Sequence, residues 1–345
     1  MSVGFGIVGS GLMAGVYANA LADDTRDTRF VGVAVGSRAA SLAAQYGVEH
    51  LSSFESMLSR PDIDAVILAT PHSVHLPETL AAARAGKHVF TEKPMGLDPA
   101  ECRAMIAACR DARVLLTVGQ VTRRMEAVRV AHAMVEAGEI GEVRMIESWR
   151  GLAGGWHLPE GSWALDPKEG SPFLDWGSHG SDIVRWFAGA EPVLAFGQDA
   201  RFDADAGVWA TTMAQFTFAN GVLAQIWMTY ELPHASLGTR ARYFIVGSKA
   251  ILDIAAYGQV KRSRADGGWD VVYESPDFHG PDVGWGYPSR YMRDAFARQV
   301  QDLADAIATG SALEVSAQDG LRAVEMADAV GRSAVRGETV RMPLD

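Results

Sequence analysis

The sequence predicts an α/β protein in two parts: an N-terminal Rossmann-type parallel sheet, then an α+β domain built on a large, open, mostly antiparallel sheet. Three observations predict it. The glycine turn Gly9-Ser10-Gly11-Leu12-Met13-Ala14 stands between the first apolar run and the first helical run. Apolar runs then alternate with helical periods to about residue 120, as parallel strands joined by crossover helices do. Further on, "MAQFTFANGVLAQIWMTY" alternates around Asn220-Gly221, the strongest short-range hairpin signal. The domains are accordingly expected at 1–121 and 122–345.

The first strand runs through Val8. Gly9 permits the tight turn after it, and Gly11 lets the backbone approach a pyrophosphate at the start of the helical run "VYANALADD". There, free N–H groups and the helix dipole favour an anion. The small Ala14 allows close packing of helix on strand. Strand 29–35, helix 38–46, strand 64–69, helix 77–85, strand 87–91, helix 99–112 and strand 113–118 complete this domain. A cofactor with a free ribose 2′-hydroxyl ordinarily meets Asp or Glu after the second strand. Here Val35-Gly36-Ser37-Arg38 carries no carboxylate, and Ser37 with Arg38 suits a 2′-phosphate, so NADP is expected in preference to NAD. Arg38 also fits a solvated residue of a first helical turn.

In the second domain, strands near 143–150, 240–247, 250–254 and 270–274 extend the hairpin, with helices at 122–137, 178–188, 292–309 and 316–335. A sheet covered by helices on one face leaves the other needing a partner, so a homodimer or homotetramer is expected.

The 345 residues, 48% of them hydrophobic, suffice for two sizeable cores. A net charge of −11 argues against a sequence-independent hold on nucleic acid or an anionic membrane. The two cysteines, Cys102 and Cys109, lie on one expected helix about 10 Å apart, too far for a disulfide. That spacing, the lack of a basic leader, and the lack of an apolar run near about 20 residues imply a reducing, cytoplasmic setting.

The stretch "LDWGSHGSDIVRWF" places a histidine in an apolar helix with acids on either side. Asp175, His179 and Asp182 share one helical face if the helix begins early enough. Alone, the stretch reads as a core histidine neutralised by carboxylates, and a metal site of these three is conceivable from spacing. Asp182, however, more naturally pairs with Arg185 or caps backbone. Arg123, Trp156 and Trp163 suit the wall of a pocket for a polyhydroxylated ring, although Trp is more often core.

Two further motifs complete the pattern: "ATPHSVH" after the third strand and "FTEKPMG" after the fourth. With the glycine turn and "LDWGSHGSD", in that order, they resemble the glucose–fructose oxidoreductase / inositol dehydrogenase (Gfo/Idh/MocA) family. The resemblance runs almost end to end, through "VGQVTRRMEAVRVAHAMVEAGEIGEV" and "RQVQDLADAIATGSALEVSAQDGLRAVEMADAV". It implies that Thr70, Pro71, His72 and His75 line the cofactor together with Gln120. It also implies that Glu92-Lys93-Pro94 bridges cofactor and substrate, and that Asp175 and His179 face the substrate. Trp163, in "SWALDP", resembles a residue near the nicotinamide, although the family more often has a basic residue at the Ala164 position.

The location of these motifs supports the transfer, since ligands of open α/β sheets bind beyond the carboxyl ends of the strands. Away from that edge Lys93 would be a surface lysine, and His72 and His75 lack a nearby third ligand for a metal. The implied activity is hydride exchange between a nicotinamide and a secondary alcohol or ketone of a sugar, polyol or related cyclic compound. His179 would be the acid/base, oriented by Asp175, with Lys93 polarising the oxygen. A redox-assisted glycoside hydrolase using NAD, a cyclic dihydrodiol dehydrogenase and a ligand-sensing regulator on the same fold are the alternatives.

Overall fold

The computed structural model describes residues 2–153, 166–202, 211–232, 240–278 and 289–344. The chain divides into two compact units, residues 1–121 with 293–324, and residues 122–292 with 325–345.

The first unit alternates strands and helices: β1 (Val3–Val8), α1 (Leu12–Asn19), β2 (Thr28–Ala34), α2 (Ala39–Tyr46), β3 (Glu49–His50), α3 (Phe54–Leu58), β4 (Ala65–Leu68), α4 (His75–Arg84), β5 (His88–Thr91), α5 (Pro99–Ala112) and β6 (Leu116–Val118). The six strands are all parallel, in the order β3-β2-β1-β4-β5-β6. The order reverses between β1 and β4, so the crevice beyond their carboxyl ends is where a ligand of such a sheet binds. Phe5, Ile7, Ile67, Leu68 and Phe90 fill the centre of the unit and are almost wholly buried, which is why these strands read as continuous apolar runs. Cys102 and Cys109 on α5 are buried free thiols, and burial pushes Cys109 up to about 11.

The second unit contains α6 (Glu126–Glu136), β7 (Val143–Ala153), α7 (Ser178–Ala188), β8 (Pro192–Ala200), β9 (Thr211–Phe218), β10 (Leu223–Leu232), β11 (Arg240–Gly247), β12 (Ile251–Ala255), β13 (Gln259–Ser263) and β14 (Trp269–Glu274). Two 20-residue helices, α8 (Arg290–Thr309) and α9 (Ala317–Arg336), and the short β15 (Val340–Arg341) end the chain. Most of α8 groups with the first unit, where Arg293 pairs with Asp24 at 2.9 Å and Phe296 meets the edge of Tyr17.

Nine strands, ordered β14-β13-β12-β11-β7-β10-β9-β8-β15, form the second sheet, antiparallel except for the β7–β10 pair. The β9–β10 hairpin turns at Asn220-Gly221, with Gly221 at φ 85°. Alternation divides its residues between two faces. Ala214, Phe216, Ala224, Ile226 and Met228 are buried on the face where α7 packs, while Met213 and Leu223 stand on the other, about half exposed. Strands β8, β13 and β15 go beyond the expected set, because "QVKRS" has no apolar alternation and a two-residue strand exists only by virtue of its partner. Among the described residues no helix is long and apolar enough to cross a membrane.

Candidate active site

In the first unit the glycine turn is shaped by the parallel pairing of β1 with β4. Gly9 sits at φ 110°, and a Cβ there would fall 2.3 Å from the Ala69 carbonyl oxygen, so only glycine fits. Gly11 differs, because a Cβ would meet nothing within 4 Å. It precedes α1 with no side-chain cap, so this helix start is open for an anion to approach its N–H groups. Leu12 is 54% exposed beside it, with Met13 next in the chain. These features fit a dinucleotide pyrophosphate.

The turn is tied to the end of β2 by the Ser10 hydroxyl, which accepts from the Arg38 N–H at 3.1 Å. Val35 is held there at φ 69°, strained for a β-branched residue, followed by Gly36 at φ 94°. Ser37 and Arg38 are exposed.

At the ends of β4 and β5 the expected residues interlock. The Thr70 hydroxyl donates to Glu78 at 2.6 Å, and burial raises that carboxyl to about 7. His75 is fully buried between two carbonyl oxygens, with Nδ1 2.9 Å from that of Pro94 and Nε2 3.1 Å from that of Thr70. Burial first, then the neighbouring His72, lowers His75 to about 4, so its ring is neutral and can donate to one of the two carbonyls at a time. It braces the loop after Pro71 against Pro94 from beneath, with no surface of its own to offer a ligand. Glu92 is buried too, accepting from the Tyr17 hydroxyl and, at 3.0 Å, from the Lys93 N–H. Burial and the Glu92 charge hold the Tyr17 phenol protonated, well above its ordinary range. Lys93-Pro94 is a cis peptide, Lys93 is partly exposed, and Gln120 is 1% exposed just after β6.

In the second unit a π-helical turn, Phe173–Gly177, leads straight into α7. Asp175 lies on that turn, partly exposed, and accepts from the Tyr230 hydroxyl at 3.4 Å. His179 follows on α7 at 6% exposure. Asp182 is 1% exposed and receives two bonds from Arg123, at 2.7 and 2.5 Å. This corrects the expected pairing of Asp182 with Arg185. Arg185 reaches past the helix end to Glu191 instead, while Asp182 faces the interior, where Arg123 supplies a bidentate fork. Arg123 is itself 3% exposed, with its guanidinium over Trp186 and its fork on Asp182. Trp156 and Trp163 lie outside the described residues.

Arg150, Trp176, Tyr230 and Tyr17 belong to these clusters without having been singled out by the sequence. Trp176 sits inside a motif already noticed, whereas Tyr17, Arg150 and Tyr230 carry no local signal. Among the described residues no group of three or more His, Cys, Asp or Glu is arranged for a metal ion.

Residues 3–120 match the model of an oxidoreductase family with an NAD-binding Rossmann fold, and residues 128–253 match the GFO/IDH/MocA C-terminal domain. The inositol 2-dehydrogenase of Rhizobium meliloti is 31% identical, over 96% of this chain and 97% of that protein. The 1,5-anhydro-D-fructose reductase of Ensifer adhaerens is 29% identical, over 81% and 88%. The crystal structure of an aldose-aldose oxidoreductase from Caulobacter crescentus, complexed with glycerol, aligns at a TM-score of 0.84 and 26% identity, covering 99% of this chain and all of that one.

Proposed function

Since the chain belongs to the GFO/IDH/MocA oxidoreductase family, we propose that it is an NADP-preferring enzyme that interconverts a secondary alcohol and a ketone on a sugar, polyol or related cyclic compound. The observation that carries the reading lies along one sheet edge. There the open turn at Gly11, the braced loop after Thr70 and the partly exposed Lys93 all follow the carboxyl ends of β1, β4 and β5. The relatives act, by name, on inositol and anhydrofructose, which supports a polyhydroxylated ring as substrate.

The chemistry a bound nicotinamide supplies is hydride exchange with the carbinol carbon. Gly9, Ser10, Gly11, Leu12 and Met13 would hold the pyrophosphate, and Ser37 with Arg38 the 2′-phosphate. Thr70, Pro71, His72, Glu92 and Gln120 would shape the rest of the cofactor site, with His75 bracing it. During oxidation, neutral His179 accepts the alcohol proton at a ring nitrogen while Asp175 stabilises the imidazolium that forms. Lys93 donates to the substrate oxygen and stabilises negative charge developing there.

The face of the second sheet opposite α7 supports self-association. It carries a groove of about 440 Å³ lined in part by Met145, Leu223, Phe196, Phe244 and Val246, a face suited to a second copy of the chain. The two free thiols suit a reducing, cytoplasmic setting.

The test is a panel of sugars, inositols and cyclic diols followed by cofactor absorbance with NADP and with NAD. Stoichiometric cofactor turnover on a ring alcohol is expected. Hydrolysis of a glycoside without net cofactor change would replace the proposal with the redox-assisted hydrolase reading.

A further inference from the structure

We infer that Arg150 and Tyr230 are positioning residues for Asp175: the Tyr230 hydroxyl donates to its carboxylate, and Arg150 is the buried countercharge behind the Trp176 ring. The inference rests on the acid/base reading of Asp175 and His179 given above.

Arg150 projects from β7 with 3% of its surface exposed. Its Nη1 donates to the Tyr243 hydroxyl at 3.0 Å and to the Thr122 hydroxyl at 3.5 Å, and its Cζ stands 5.3 Å from the centre of the Trp176 ring. The buried Nε has no hydrogen-bond partner, and among the described residues Arg150 forms no ion pair. A cation taken out of water with only hydroxyls and a ring face around it carries a large desolvation penalty unless negative charge lies nearby. Asp182, held by Arg123, is one such charge, since it raises the Tyr243 phenol to which Arg150 donates.

The connection runs to Asp175. Trp176 follows Asp175 in the chain, and Tyr230 stands 5.5 Å from the Trp176 ring at an interplanar angle of 32°, with its hydroxyl on the Asp175 carboxylate. The parallel pairing of β7 with β10 sets Met228 opposite Arg150, and Tyr230 follows two residues on, where the register shifts between Thr229 and Leu232 and its ring meets Trp176. Tyr230 registers both charges. Burial raises its pKa most, Asp175 raises it further, and Arg150 lowers it.

The groups around the centre are Tyr230 from β10, Arg150 from β7, Tyr243 from β11, Tyr257 in the loop before β13, and His179, Asp182 and Arg123 alongside α7. A hydroxyl donor and a nearby cation both favour ionised Asp175, so removing either raises its titration. An Asp175 that loses its charge at higher pH moves the acid limb of activity the same way.

The experiment is a carboxylate NMR titration of Asp175 in the ligand-free protein, alongside the pH profile of kcat/KM. Tyr230→Phe keeps the ring packing and deletes only the hydroxyl. It is expected to move both Asp175 and the acid limb upward by about half a pH unit, the equivalent of one modest hydrogen bond. Arg150→Gln is expected to move them upward by about one unit, while Arg150→Lys, which keeps the charge, holds the titration near that of the unmodified protein. A Tyr230→Phe titration superimposable on the unmodified protein's would overturn the inference, even if Arg150→Gln fails to fold. If no alcohol is turned over, the proposed function falls, and the NMR titration still decides whether Tyr230 and Arg150 act on Asp175.

Discussion

Breaking the Arg123–Asp182 pair is expected to destabilise the second unit far more than an ordinary ion pair would. The two side chains are 3% and 1% exposed and joined by two short bonds, so water cannot replace the lost partner. In Arg123→Met the Asp182 carboxylate stays buried without its bidentate donor, a loss of about 3–5 kcal/mol for a buried pair. An exposed pair such as Arg110–Asp111 would contribute about 1 kcal/mol at most. For a folding unit of this order of size, that loss lowers the melting temperature by about 6–20 °C. Replacing both partners, as in Arg123→Met with Asp182→Leu, removes the stranded charge and should recover much of the difference. Calorimetry and urea unfolding of the two single variants and the double variant measure the coupling directly. A single variant within about 1 kcal/mol of the unmodified protein, or a double variant as unstable as the sum of the singles, would refute the buried-pair argument.

Three further outcomes follow from the site. His179→Ala should slow the chemical step by about 10²–10⁴-fold while leaving cofactor affinity largely intact, read by single-turnover kinetics and calorimetric titration; near-normal turnover would return His179 to a core role. Arg38→Ala should weaken NADP by about tenfold to a hundredfold and spare NAD, and equal affinity of the unmodified protein for both would remove the 2′-phosphate assignment. Glu78 is raised from 4.5 to about 7, so the folded state holds its proton more tightly than the unfolded state and this stabilising contribution is lost as pH rises between those values. Glu78→Gln keeps an acceptor for Thr70 and should flatten that part of the stability–pH curve; an unchanged slope in urea unfolding at several pH values would show that Glu78 is not its source.

Local sequence determined what local physics controls. Helix α5 spans 99–112 and α7 spans 178–188, as expected from the sequence, and the Gly9 turn and the Asn220-Gly221 hairpin lie where their backbone requirements put them. The motifs at 70–75, 92–94 and 175–179 stood out as short runs beside a strand end or on one helix face, and the roles expected of them came from the family they resemble. Tertiary structure alone decided the partners. Asp182 meets Arg123 across 59 residues, Tyr17 meets Glu92 across 75, and Tyr230 meets Asp175 across 55. Periodicity records which face of an element turns inward but not which distant side chain waits there. That depends on strand order and register, such as the parallel β7–β10 pairing that gathers Arg150, Trp176 and Tyr230. Arg185 was the nearer cation to Asp182 in sequence, and burial gave the carboxylate to the one whose fork reached it inside the protein.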